Sequence, residues 1–276
     1  RLTKRIIKGT AIFEGVGAIL LSIRFIPQFG LLKGIWYSIF HSISAFCNAG
    51  FDLMGHTEKY ISLCNYVGDW LVNLVIVSLI VIGGIGFIVW DDLYTKRWHV
   101  RHYMLHTKIV LVTTAILIGG SMLLFYMMER GNILVGMTGS EKFLACLFSA
   151  VTPRTAGFNT VDTAALTDGS KFLTAVLMFI GGSPGSTAGG IKTTTLMVLL
   201  FYVVSNVRQT YGVEVFGRRL QDESIRQSAC ILTINLCLTI VASILIMTVQ
   251  NLPMSAVLFE TCSAMGTSGM STGVTR

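Results

Sequence analysis

Charged residues are scarce in this sequence. Only 13% of its 276 residues are Asp, Glu, Lys or Arg, while 53% are hydrophobic and the mean hydropathy is +0.69. A soluble domain typically has roughly a quarter of its residues charged. This scarcity excludes an ordinary soluble globular protein, and the apolar runs predict a membrane protein.

The sequence also lacks the usual signatures of a metal site or an enzyme. Its six cysteines form no CxxC pair and no Cys/His cluster with zinc-ligand spacing, and its five histidines form no HExxH motif. His99, His102 and His106 lie in a basic segment, where a solvated surface is the simpler interpretation. We therefore predict that the chain is not an enzyme.

The net charge of +7 is concentrated in a few places. More than half of the 21 Lys and Arg residues fall in segments 1–8, 91–108 and 207–226, next to apolar spans. The positive-inside rule predicts that these segments are cytoplasmic and that the chain crosses the cell membrane several times. No basic stripe with interleaved aromatic residues is present, so the expected partner is membrane lipid and not nucleic acid.

One phrase occurs three times along the chain. It reads FHSISAFCNAGF at 40–51, LFSAVTPRTAGF at 147–158 and FETCSAMGTSGM at 259–270. Aligned on Gly50, Gly157 and Gly269, each copy ends in a small residue, a glycine and a large apolar residue. Gly266 is a rival to Gly269 in the third copy, but Gly269 keeps the register of the other two. The spacing indicates a long internal repeat.

Each copy of the phrase ends a short apolar segment. Segments 35–47, 140–152 and 254–265 are too short to cross a core of about 30 Å at about 1.5 Å per residue. Longer spans are predicted over 6–25, 70–90, 107–128 and about 228–249, with a break at Pro27, Gly30 and Gly34. Non-helical backbone at membrane depth must be buried in protein or face water, so repeated half-helices that end in glycine turns indicate a pore. We therefore predict an all-α membrane protein of repeated helix–pore-helix–filter–helix units around a central ion pore, in units 1–106, 107–208 and 209–276.

The glycine turns suit the binding of a bare cation. Glycine allows backbone angles that point carbonyl groups inward, and carbonyl oxygens can replace the hydration shell of a cation. The carboxyl end of each short helix adds a partial negative charge. The alternative is that these are tight turns in which glycine serves only packing.

A second glycine-rich stretch interrupts the segment 171–208. A continuous helix there would be about 57 Å long, so a break is needed. The stretch does not match a phosphate-binding loop, because Ile191 separates Gly190 from Lys192. We predict a movable barrier made by Gly182, Ser183, Pro184, Gly185, Ser186, Thr187, Ala188, Gly189, Gly190 and Lys192.

Two charged residues lie within apolar segments. Lys192 either has a direct function, or it snorkels or neutralises helix carboxyl ends. Glu14, at mid-depth of the first span, should face the bundle interior. There it either ties a neighbouring backbone or attracts ions.

The phrases VTPRTAGFNTVD (151–162) and GGSPGSTAGGIKTTT (181–195) resemble the Trk/Ktr/HKT superfamily of potassium transporters, most of all the bacterial Ktr-type membrane subunit. The resemblance implies a filter for potassium, and in some members sodium, with no organic cofactor. By motif, the filter residues are Asn48, Ala49, Gly50, Phe51, Thr155, Ala156, Gly157, Phe158, Thr267, Ser268, Gly269 and Met270. It also implies that residues 182–190 gate the pathway.

The resemblance further implies a homodimer and a cytosolic KtrA-like ring of regulatory subunits with nucleotide-binding domains. Four repeats are expected, and the three units match the second, third and fourth, the last without its final helix. We therefore interpret the chain as a fragment or an incomplete version of the protein. The alternative function is a sodium-coupled secondary transporter with discontinuous helices, which the same-sense repeats disfavour.

Overall fold

The structure is a computed structural model that describes residues 2–56, 61–97, 99–209 and 212–274. Arg1, Trp98 and residues 210–211 of the predicted cytoplasmic segments lie outside the described residues. Within them, the chain forms ten α-helices and one hairpin of two short strands: α1 Leu2–Phe29, α2 Leu31–Phe46, α3 Trp70–Gly84, α4 Phe87–Lys96, α5 Leu105–Glu129, α6 Gly139–Val151, α7 Asp168–Ile180, α8 Thr193–Val207, β1 Glu214–Val215, β2 Arg218–Arg219, α9 Asp222–Val249 and α10 Met254–Met265. The predicted all-α class is confirmed, with the small hairpin as an addition.

The helices divide into long apolar ones and shorter ones. Helices α5 and α9 and residues Thr3–Phe29 of α1 are each long and apolar enough to cross a membrane, and the bent pair α3–α4 makes a fourth candidate span. The largest core joins α1, α2 and α3, and Phe158 from the predicted second filter turn packs into it. The multi-pass prediction agrees with this arrangement.

The break between the first two helices is smaller than predicted. Helix α1 continues through Pro27 to Phe29, and Gly34 lies inside α2, so the expected breaks at those two residues are wrong. Gly30 alone interrupts the helices, with φ of 82°. Gly34 serves close packing, because a Cβ there would lie 2.5 Å from the Cα of Ile26. Pro27 is tolerated because its missing N–H affects only the last turn of α1.

The span predicted over 70–90 is not one straight helix. The chain bends by 95° between α3 and α4. Gly86 has φ of 97° at the bend, and a Cβ there would lie 2.6 Å from the carbonyl oxygen of Pro184. The backbone N–H of Phe87 donates to the carbonyl of Gly185 at 2.8 Å. A distant glycine-rich stretch therefore fixes this bend.

The remaining helices follow the predicted order. Helices α5, α6 and α10 match the apolar segments expected over 107–128, 140–152 and 254–265, and α7 and α8 are separated where the long segment was expected to break. Helix α9 begins at Asp222, six residues earlier than expected. The hairpin before it was not predicted; Phe216 and Gly217 both have positive φ, as a two-residue hairpin turn requires.

Candidate functional site

The turns that follow α2, α6 and α10 share one backbone conformation. Their first residues, Asn48, Thr155 and Thr267, have φ of 50°, 65° and 54°, although none is glycine. Two residues later, Gly50, Gly157 and Gly269 have φ of 71°, 88° and 74°. Residues other than glycine seldom adopt positive φ, so three matched pairs indicate one repeated construction. Gly266 instead has φ of −79° at the end of α10, so Gly269 is the structural equivalent of the other two glycines.

A hydroxyl group closes each turn, a feature that is not predicted above. The hydroxyls of Ser44, Thr152 and Ser263 donate to the carbonyls of Phe51, Phe158 and Met270 at 2.7, 2.5 and 2.6 Å. The backbone carbonyls of Ser44, Thr152 and Ser263 also accept an N–H from inside the turn. The donors are Ala49, Ala156 and Ser268, at 2.9, 3.0 and 2.9 Å. Each hydroxyl residue therefore holds its turn at both ends. The available signal was a Ser-Ala pair in the first and third copies.

The three turns lie side by side. A Cβ on Gly50 would overlap the carbonyl oxygen of Ala156, and a Cβ on Gly157 would overlap that of Ser268. Two side chains add links between turns: the Asn48 amide donates to the carbonyl of Arg154 at 3.2 Å, and the Ser268 hydroxyl to that of Pro153 at 3.5 Å. The sequence-predicted residues of the three copies are thus brought together.

This arrangement presents oxygen atoms without charged side chains. None of the twelve predicted filter residues is acidic or basic. Among the described residues, no group of three or more His, Cys, Asp or Glu side chains could hold a metal ion. The carboxyl ends of three short helices add partial negative charge. Carbonyl and hydroxyl oxygens suit hard cations and not the transition metals that prefer nitrogen or sulfur.

The large apolar residue of each copy has a different environment. Phe158 is fully buried in the core and Met270 is 5% exposed, whereas Phe51 is 70% exposed. In each of the three residues, the backbone carbonyl accepts the hydrogen bond from the hydroxyl described above. Their side chains are therefore not equivalent parts of a filter.

The glycine-rich segment 181–192, hereafter called the intramembrane loop after its predicted position, has its own internal bonds. The N–H of Gly182 donates to the carbonyl of Gly189 at 3.1 Å, and the buried hydroxyls of Ser183 and Thr193 lie 3.0 Å apart. Gly181, Gly185 and Gly190 have φ of 57°, 65° and 68°. The loop is therefore a compact, hydrogen-bonded structure built on left-handed residues.

The intramembrane loop contacts the first residue of all three turns. The Thr187 hydroxyl lies 3.4 Å from the Asn48 side-chain oxygen, and the N–H of Gly189 donates to the Thr155 hydroxyl at 3.2 Å. A Cβ on Gly189 would overlap the hydroxyl oxygen of Thr267. The Thr187 hydroxyl also donates to the carbonyl of Phe46 at 3.0 Å. Two residues of the predicted barrier, Thr187 and Gly189, thus contact the predicted filter.

The charged residues singled out from the sequence have defined positions. Lys192 donates to the carbonyl of Ala188 at 2.7 Å, which ties it to the intramembrane loop itself. Glu14 is half-buried, and its carboxylate lies 3.9 Å from the Cys47 thiol at the end of α2. The Ser42 hydroxyl donates to the backbone carbonyl of Glu14. The Glu14 carboxylate therefore lies beside the end of the neighbouring short helix α2.

Comparison with known proteins identifies cation transport proteins as relatives of this chain. Residues 1–276 match the TrkH family model, described as a cation transport protein. The potassium/sodium uptake protein NtpJ of Enterococcus hirae is 38% identical over 98% of this chain and 60% of its own length. The Ktr system potassium uptake protein B of Bacillus subtilis is 38% identical over 95% of this chain and 58% of its own length.

A solved structure has the same fold. The crystal structure of the potassium transporter TrkH from Vibrio parahaemolyticus matches with a TM-score of 0.67 and 19% identity, over 92% of this chain and 61% of that chain. The present chain therefore spans about three fifths of the length of these relatives.

Proposed function

The chain belongs to the TrkH family of cation transport proteins, and from this premise we propose that it contributes to potassium uptake across the cell membrane. The observation that carries the proposal is the convergence of three turns with matched left-handed residues. In this proposal, each turn supplies backbone carbonyls that replace water around a potassium ion. The units 1–106, 107–208 and 209–276 each contribute one such turn, and the cation is the transported substrate.

The intramembrane loop is the gate in this proposal. Its contacts with Asn48, Thr155 and Thr267 support a position directly against the filter. In the closed state, hydrogen bonds join the loop to the first and second turns. Its contact with the third turn, at Thr267, is steric. Opening requires the loop to leave the turns, while the hydroxyl closures of the turns remain in place.

We expect expression from the complete reading frame to restore growth of a bacterial strain that lacks its own potassium uptake systems. Growth should recover at limiting potassium, and tracer uptake should saturate with potassium concentration. The dependence of uptake on sodium distinguishes a filter pathway from a sodium-coupled secondary transporter. Uptake that continues when sodium is removed supports a filter pathway, whereas uptake in fixed proportion to sodium supports the secondary transporter. No uptake of either ion would contradict the proposal.

A cytosolic ring of nucleotide-binding regulatory subunits docks on segments 91–108 and 207–226 in this proposal, and the protein forms a homodimer. The resemblance to Ktr-type subunits motivates both ideas. The hairpin β1–β2 supports the docking of the ring. Val215 of β1 and the preceding Val213 are buried against α5, α8 and α9, and Arg218 and Arg219 remain exposed. It therefore presents a supported basic surface.

Changing Arg218 and Arg219 together to glutamate should abolish co-purification with such a ring. The reason is that reversed charge repels an acidic docking surface. A matched control is Lys33→Glu, an exposed lysine on α2 outside both segments. Retained co-purification in the double variant would argue for a different docking surface.

A further inference from the structure

Arg154 is a buried cation beside the converging turns. Only 3% of its surface is exposed, and it directly precedes Thr155, the first residue of the second turn. Its own carbonyl accepts the hydrogen bond from Asn48 of the first turn. The corresponding residues before Asn48 and Thr267 are Cys47 and Gly266, which are neutral. The second turn is therefore the one among the three that carries a fixed positive charge.

The guanidinium group is poorly compensated. One of its terminal nitrogens donates to the Thr114 hydroxyl on α5 at 3.2 Å. In the part of the chain that the structure describes, Nε has no hydrogen-bond partner and no ion pair involves Arg154. Because the residue is already enclosed, a carboxylate from another protein has no open route to it.

Stability does not account for an arginine at this position. Burying a charge without an opposite charge is unfavourable, and even a buried ion pair can often be replaced by apolar side chains of similar volume without loss. A cation next to a cation pathway does have a functional consequence. It opposes the binding of a second positive charge, and conduction requires binding that is weak enough for the ion to leave.

We propose that Arg154 is a positioning charge that weakens cation binding at the three turns and thereby speeds release of the transported ion. This inference rests on the proposed uptake function. Two unit charges about 10 Å apart, at an effective dielectric constant of about 20, change each other's occupancy by roughly tenfold. Removing the charge should therefore tighten binding and slow the maximum rate.

The test is the concentration dependence of potassium uptake in the protein expressed from its complete reading frame. Arg154→Met and Arg154→Gln are expected to lower KM about tenfold and to lower the maximum rate per molecule inserted in the membrane. Arg154→Lys keeps a positive charge and should stay close to the wild type. Thr114→Val is the matched control, since it removes the hydrogen bond but keeps the charge, and its KM should not change.

The sign of the change in KM separates this role from a purely structural one. A misfolded fraction lowers the maximum rate but leaves KM unchanged, so KM remains informative for a poorly folding variant. An unchanged or higher KM in both neutral variants would overturn the inference, as would a Thr114→Val variant that reproduces them. Absence of uptake by the wild type would instead contradict the proposed function.

Discussion

Replacing Gly157 with serine is expected to reduce the preference for potassium over sodium by at least about tenfold, which corresponds to 1.4 kcal/mol of differential binding. Gly157 has φ of 88°, and a Cβ there would overlap the carbonyl oxygen of Ser268 in the neighbouring turn. That carbonyl must move, and ion discrimination depends on where such oxygens lie. Inhibition of potassium uptake by added sodium measures the change.

The other glycines provide graded comparisons. Gly50→Ser should act as strongly, because its Cβ would overlap the Ala156 carbonyl oxygen. Gly269→Ser should act more weakly, since within the described chain a Cβ there meets no atom within 4 Å. Gly136→Ser is the control: φ is 83° and the space around it is equally open, but it lies outside the turns. Unchanged selectivity in the three turn variants would contradict the filter.

The register of the three turns could be predicted because short stretches of the sequence determine it. Each copy contains a glycine after a small residue at the end of a short apolar segment, and Asn48, Thr155 and Thr267 precede the glycines at one spacing. Segment length was enough to separate the three short helices from the long spans α1, α5 and α9. These features needed no knowledge of which segments touch.

The breaks at other glycines could not be predicted in the same way. Gly34 and Gly86 look alike in the sequence, yet Gly34 lies within a helix and Gly86 lies at a bend of 95°. The difference comes from distant neighbours. Gly34 packs on Ile26, whereas the carbonyl of Gly185 accepts the N–H of Phe87 and fixes the bend.

The hydroxyl closures escaped prediction for a related reason. A serine or threonine in a helix ordinarily donates to the carbonyl four residues earlier, as Ser38 and Thr174 do. Ser44, Thr152 and Ser263 instead reach carbonyls that exist at that position only once the left-handed turn has formed. Burial of Arg154 was equally hidden, since a Pro-Arg pair after an apolar segment is typical of a helix end and does not reveal whether the side chain is enclosed.

Deleting Gly185–Gly189 from the intramembrane loop is expected to raise ion flux about tenfold or more. The deletion removes the contacts of Thr187 and Gly189 with the turns; about two hydrogen bonds, each worth roughly 1 kcal/mol net, correspond to at least a tenfold shift towards the open state. Selectivity should be largely retained, because Ser44, Thr152 and Ser263 hold the turns without help from the loop. Tracer flux and sodium competition in the same vesicles measure both.

Single substitutions separate gating from the loss of loop structure. Thr187→Val removes the hydrogen bond to the Phe46 carbonyl and should raise flux by a smaller factor than the deletion. Ser186→Ala is the matched control, because the Ser186 hydroxyl bonds only to Ser183 and Ala188 within the loop among its described contacts. Its flux should stay near that of the wild type. If folded, inserted protein with the deletion shows unchanged or lower flux, the loop is a scaffold for the bend between α3 and α4, and the gate lies elsewhere.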